Sequence, residues 1–268
     1  MTQTKTNITS PKRMNKEETH MKAIMYSPDV LELKEEDMNP NRRTAVLVGA
    51  LFLISTATFI VSNALITPLL GSHNFLAEVS DHSQLMIAAT LIALIEGTAT
   101  VGIALALYPI LKRQHPALAL GYAGMRIAEL AIAVVGFGLG GLLLVTLSAT
   151  AANGANSETL GTLLVALRPW TLMLVYLYTA IGGLMLSYML LRTRLVPRGL
   201  SVLGLIGYVA LLLAAVLDML GIVDTVAGLG LAGLVPGGLF ELLLPIWLFA
   251  KGFNLTALDR MRVARVSG

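Results

Sequence analysis

The chain has 268 residues, 56% of them hydrophobic and 13% charged, with 19 basic and 16 acidic side chains and no cysteine. A soluble domain carries about 25% charged residues, so this composition excludes an ordinary soluble fold. The missing cysteines exclude disulfides, thiolate metal sites, cysteine nucleophiles and covalent haem attachment. The net charge of +3 is no nucleic-acid signature, because the basic residues are distributed by topology.

Residues 1–37 are polar, with six basic and seven acidic side chains. They lack the apolar content for a core and are expected to form a disordered extension. Within them, Met21-Lys-Ala-Ile-Met-Tyr-Ser-Pro-Asp-Val-Leu-Glu-Leu-Lys-Glu35 resembles the opening strand and hairpin of zinc-type quinone oxidoreductases and medium-chain alcohol dehydrogenases. Nothing after Pro40 continues that pattern, so the segment is expected to be an inert remnant or a mis-called start ahead of Met38.

Six apolar runs follow: Ala45–Leu70, Leu85–Leu111, Ala117–Leu147, Trp170–Leu191, Leu200–Ile222 and Val226–Ala250. At about 1.5 Å rise per helical residue, even the shortest covers the roughly 30 Å hydrocarbon core. Leu- and Ala-rich runs of this length read as helices, since barrel strands are about ten residues long and alternate. The expected fold is all-α, a six-helix transmembrane bundle over 38–254 with a basic tail at 255–268. The first run starts too late and is too long for a secretory signal. Arg42, Arg43, Lys112, Arg113, Arg192, Arg194, Arg198, Lys251, Arg260, Arg262 and Arg265 flank one side. Glu78, Asp81, Glu158 and Asp224, with Arg168 as the one basic residue, flank the other. By the positive-inside rule both termini and the two basic loops are expected to be cytoplasmic.

In the first outer loop, Asp81-His-Ser-Gln84 has the residue types of a capping box opening the second span. That account is preferred to a metal site for His73, Glu78, Asp81 and His82, which repeat no known ligand pattern. In the second, Ser157–Leu167 reads as a short interfacial helix with Ser157 as N-cap, separated from the fourth span by Pro169. Gly228-Leu-Gly-Leu-Ala-Gly233 matches a dinucleotide-binding string but follows no strand, so close helix packing is expected instead.

Four ionisable residues lie inside the spans: Glu96, Arg126, Glu129 and Glu241. A charge at bilayer depth is paired, hydrated or functional. The second and third spans join through a short turn at Arg113–Pro116, which makes them an antiparallel hairpin. Glu96 lies 18 residues before position 114 and Glu129 lies 15 after it, so their heights differ by about 4.5 Å. Arg126 and Glu129 share a helix face at i, i+3. That stripe runs through Tyr122, Arg126, Glu129, Ala133, Gly136 and Gly140, and Glu96 lies on a stripe with Ala89, Ala93, Thr100 and Ile103. Glu241 and Arg126 are each about 14 Å from the cytoplasmic end. Pro245 leaves the carbonyl of residue 241 without its helical donor, as in helices that line transporter cavities. Arg126 is expected within salt-bridge or single-water reach of Glu129, Glu241 or both, bridging the two if the cluster is purely structural. If all four ionise the sum is −2, so the cluster binds protons or recruits cations or a basic ligand, with Glu96, on a different helix from the arginine, the candidate to hold the proton. Asn63 is expected to hydrogen-bond a neighbouring helix, and Asp218 to reach interfacial water.

Asn39-Pro-Asn-Arg-Arg-Thr-Ala, Ala104-Leu-Ala-Leu-Tyr-Pro-Ile-Leu-Lys-Arg, Ala117-Leu-Ala-Leu-Gly-Tyr-Ala-Gly-Met-Arg-Ile-Ala-Glu129, Leu195-Val-Pro-Arg-Gly-Leu and Phe240-Glu-Leu-Leu-Leu-Pro-Ile-Trp-Leu-Phe-Ala-Lys-Gly-Phe253 occur in order. Together, over about residues 39–254, they resemble a bacterial six-span family catalogued as domain of unknown function 4386. The resemblance implies a fold and an inner-membrane location but no activity. The leading functional reading is an accessory, regulatory or structural membrane subunit. The alternative is a proton- or cation-linked small-molecule carrier using the cluster, and the second alternative an intramembrane enzyme. No nucleophile–base pair or metal-ligand set is visible, so no catalytic residue, metal or cofactor is expected. The expected partners are the lipid bilayer and a second copy or another membrane protein, not nucleic acid. A water-accessible cavity reaching Glu96 or Glu241 separates carrier from subunit.

Overall fold

The computed structural model describes residues 40–150, 155–225 and 227–258. The expected extension at 1–37 and most of the basic tail lie outside them. Two units are distinguished along the chain, Met1–Arg43 and Thr44–Gly268, and the bundle lies in the second. Among the described residues there is no strand, and six helices are long and apolar enough to cross a membrane.

In chain order the elements are α1 (Pro40–Leu70), α2 (Phe75–Asp81), α3 (Ser83–Leu111), α4 (Pro116–Ala133), α5 (Gly140–Thr150), α6 (Ala155–Thr193), α7 (Arg198–Met219) and α8 (Gly228–Ala250). Leu70, Leu111 and Ala250 end their helices where the apolar runs end. A π-helical turn, Val134–Leu139, joins α4 to α5, so Pro116–Thr150 is one span. Long apolar side chains such as Leu120, Ile127, Val135, Leu213 and Ile246 are exposed around the bundle. That outward apolar surface suits lipid rather than water.

Packing follows the chain: α3 lies on α4, α4 on α6, α6 on α7 and α7 on α8. Small residues set these crossings. A Cβ on Gly207 of α7 would stand 2.5 Å from the backbone of Gly237 on α8, and one on Gly97 of α3 would meet Leu130 of α4 at 2.8 Å. Gly183 of α6 seats the Tyr208 ring of α7. α1 differs. It makes no comparably extensive close backbone contact with the other helices and joins through side chains, Ala45, Val48 and Phe52 entering the main core with Leu107 and Leu248. A second, smaller core of Ile66, Leu69, Val79, Met86, Ala89 and Leu144 closes the acidic end.

Three local expectations are corrected. Asp81 does not open α3: it is the last residue of α2, His82 is the N-cap residue, and no side chain caps the helix. The His82 backbone N–H is already given to the Glu78 carbonyl, which commits this turn to α2. Pro169 does not divide the outer segment, since α6 runs unbroken for 39 residues and Ser157 lies inside its first turn. Tertiary contacts hold the turns on both sides of the proline: Gly161 lies against Phe75 and Leu76 of α2, and Thr171 against Gly136. The small-residue stripe of α4 does not continue through Gly140, where a Cβ would meet nothing. The buried positions run Ala119, Tyr122, Ala123, Arg126, Glu129, Ala133 and then Gly138, Gly141, Leu144. The step of five from Ala133 to Gly138 is the extra residue of the π turn, which rotates the face so that Gly141, not Gly140, meets Thr90.

Candidate functional site

A cavity of about 250 Å³ lies inside the bundle, and Glu96, Arg126, Glu129 and Glu241 all line it. All six spans contribute to its wall. Phe52, Phe59 and Ile60 come from α1, Tyr176 from α6, Tyr208 and Leu211 from α7, and Leu234, Gly237 and Gly238 from α8. The hairpin turn places Glu96 opposite Arg126 and Glu129, as the height count requires. Glu241 reaches the same space from α8.

Arg126 and Glu129 form a buried ion pair, Nη1 to Oε2 at 2.7 Å, with each residue no more than 3% exposed. The i, i+3 spacing brings them together without using any freedom of the fold. Arg126 also lies over the Tyr122 ring, 5.5 Å from its centroid, one helical turn away. Arg126 Nε and the Tyr122 hydroxyl are buried and have no hydrogen-bond partner among the described residues. Tyr122 is itself packed against Gly182 of α6.

Of the two glutamates within expected reach of Arg126, it is Glu129 that pairs with it, and Glu241 is held differently. Arg126 makes no ion pair to it among the described residues; instead the Tyr208 hydroxyl donates to Glu241 Oε1 at 3.1 Å. The reason is geometric. The close Gly207–Gly237 crossing brings α7 against α8, and Tyr208, one residue on from Gly207, then sits beside Glu241. Phe240 packs edge-on to the Tyr208 ring at 5.7 Å and fixes it. Glu96 makes no hydrogen bond or ion pair among the described residues, so its carboxylate is left to the cavity. The nearby Thr100 is occupied, donating to the Gly97 carbonyl at 2.8 Å.

The secondary residues fall away from the cavity. Arg168 of α6 donates to Asn63 Oδ1 of α1 at 3.3 Å, and Asn63 gives its own amide to the Phe59 carbonyl. Arg168 also stands 4.9 Å over the Phe137 ring, so it is folded into the bundle and is not a loop charge. Asp218 does not simply face water: its Oδ2 accepts from the Thr225 backbone at 2.6 Å and ties the α7–α8 connection. Pro245 lies within a continuous α8.

Sequence reasoning missed the aromatic wall of Phe52, Phe59, Tyr176 and Tyr208. Depth could have found Tyr208, which is ten residues into α7 and therefore about 15 Å from its basic end, level with Arg126 and Glu241. For the other three no local signal exists, because aromatic residues in apolar spans are unremarkable until neighbours are known.

No curated protein and no solved structure matches the chain. Residues 47–252 match a family described as domain of unknown function (DUF4386). With most of the length covered, the chain belongs to that family.

Proposed function

We propose that the protein is a membrane carrier or receptor that binds a small cation in the central cavity, rather than a subunit whose charges only hold helices in register. The cavity carries this reading. A purely structural cluster packs its charges against one another, and only Arg126 and Glu129 do so here. Glu96 and Glu241 face open space of about 250 Å³, near the lower end of ligand-pocket volumes. With Arg126 already matched to Glu129, the two remaining carboxylates have no cationic partner among the described residues. A charge held at this depth without compensation is costly, and a bound cation or a pair of protons supplies the compensation. We assign the carboxylates to binding rather than catalysis, because Thr100, the hydroxyl one turn from Glu96, is committed to a helix carbonyl.

The test is thermal stability of the protein in lipid nanodiscs against sodium, potassium, ammonium and tetramethylammonium chlorides at matched ionic strength. At least one cation should raise the melting temperature of the wild type, and the Glu96→Gln/Glu241→Gln variant should lose that shift. Acidification should weaken the effect, because protons compete for the same oxygens. A wild type indifferent to all four cations overturns the proposal.

We also propose that the end bearing Lys112, Arg113, Arg192, Arg194, Arg198 and Lys251 faces the cytoplasm of a bacterial inner membrane, on the positive-inside rule. The chain lacks cysteine, so single cysteines report cleanly. His73→Cys should react with an impermeant thiol reagent in intact cells and Gln114→Cys should not; the reverse pattern refutes the orientation.

A further inference from the structure

The cavity has a side wall that is not closed. α1 and α8 touch near the basic end, where a Cβ on Gly49 would lie 3.2 Å from the Phe249 ring. Farther along, both helices line the cavity, α1 through Phe59 and Ile60 and α8 through Leu234, Gly237, Gly238 and Glu241. Counting 11 residues from Gly49 and from Phe249 along these antiparallel helices brings Ile60 and Gly238 to the same height. The cavity lining includes Ile60, which is 60% exposed, and Gly238, which is also exposed. One residue pair therefore belongs to both the cavity and the lipid-facing surface. Gly238 offers no side chain to cover the gap, and a Cβ placed on it would meet nothing within 4 Å. The backbone of α1 stands off from the remaining helices, so no close crossing seals the slot from the other side.

Chemistry changes along this space. Glu96 and Glu241 share this space with the aromatic rings of Phe52, Phe59, Tyr176 and Tyr208 and with Ile60, Leu234 and bare glycine backbone, and the exposure of Ile60 and Gly238 marks their side as the mouth. Rings around carboxylates suit an alkylated ammonium group, which gains from both the charge and the ring faces. An apolar slot opening at bilayer depth suits a hydrocarbon chain, which stays in lipid while the head is bound. Resting on the cation-binding reading above, we propose that the ligand is a single-chain cationic amphiphile. Its ammonium head sits between Glu96 and Glu241, and its tail leaves through the slot between α1 and α8 past Ile60 and Gly238.

The experiment measures binding of an alkyltrimethylammonium series, from tetramethyl- through butyl- to octyltrimethylammonium, to the full chain in nanodiscs. Uncharged octyl glucoside is the control for bilayer effects. A slot open to lipid accommodates the tail, so apparent affinity from water should rise with chain length, by up to roughly three- to fourfold per methylene. A cavity closed on all sides rejects the octyl chain. Gly238→Trp fills the mouth at a position with free space; it should weaken octyltrimethylammonium at least tenfold more than it weakens tetramethylammonium, and an unchanged melting temperature without ligand shows that the variant is folded. Tetramethylammonium binding with the octyl compound excluded, or octyl binding indifferent to Gly238→Trp, overturns the slot and leaves the cation site standing. Absence of binding across the whole series in the wild type overturns the amphiphile, and indifference to inorganic cations as well removes the site itself.

Discussion

At the scale of single residues, the Arg126–Glu129 pair and the Glu96 and Glu241 carboxylates are governed by different balances. Both members of the pair are buried, 2.7 Å apart, so removing one strands the other. Arg126→Ala should destabilise the protein by about 3–5 kcal/mol, whereas replacing both with leucine should cost much less, because no charge is then left unpaired. Melting of the two single variants and the double variant in one detergent checks this; additive losses contradict it. The Tyr208 hydroxyl gives Glu241 a neutral donor, and Tyr208→Phe should cost about 1.5–3 kcal/mol if that carboxylate is charged. The charged residues were legible from sequence because depth in a span is a count of residues, and the hairpin turn converts two counts into one height. The partner of Glu241 was not, since Arg126 and Tyr208 stand at the same depth and only lateral packing selects between them.

At the scale of elements, the contacts that fix lateral positions are made by residues with no side chain. Gly207 and Gly237 let α7 and α8 cross backbone to backbone, and that crossing delivers Tyr208 to Glu241. Gly207→Val should therefore cost about 2 kcal/mol or more through overpacking and should also abolish the Tyr208–Glu241 contact. Gly238→Ala, one residue past Gly237 and facing open space, should be near neutral. Comparing the two melting temperatures decides whether backbone approach or mere helix propensity is at stake. Helix existence and the ends of three spans followed from apolar length alone. The unbroken α6 and the π turn at Val134–Leu139 did not, because each is settled by tertiary contacts, such as Thr171 against Gly136, that override the local preference of a proline or a regular 3.6-residue period.

At the scale of the whole molecule, a cavity is a property of what six helices leave unfilled, and no periodicity in any one of them encodes it. The spans from α3 to α8 pack largely in sequence order, and α1 lies against them mainly through side chains. On the cation-binding proposal, a site built this way trades stability for binding. Two carboxylates without a cationic partner among the described residues are held where desolvation is expensive, and on that proposal the cost is recovered when the ligand binds. Replacing Glu96 and Glu241 by glutamine keeps their shape and hydrogen bonding and removes the charge. The doubly substituted protein should thus be at least as stable as the wild type in the absence of cations, and should gain less from every cation that stabilises the wild type. If the carboxylates served only to hold the bundle together, the same substitutions would lower the melting temperature under all conditions. Measuring both proteins with and without tetramethylammonium, in the same nanodiscs, separates a binding site from a structural clasp. A substituted protein that is less stable throughout would assign Glu96 and Glu241 to the clasp.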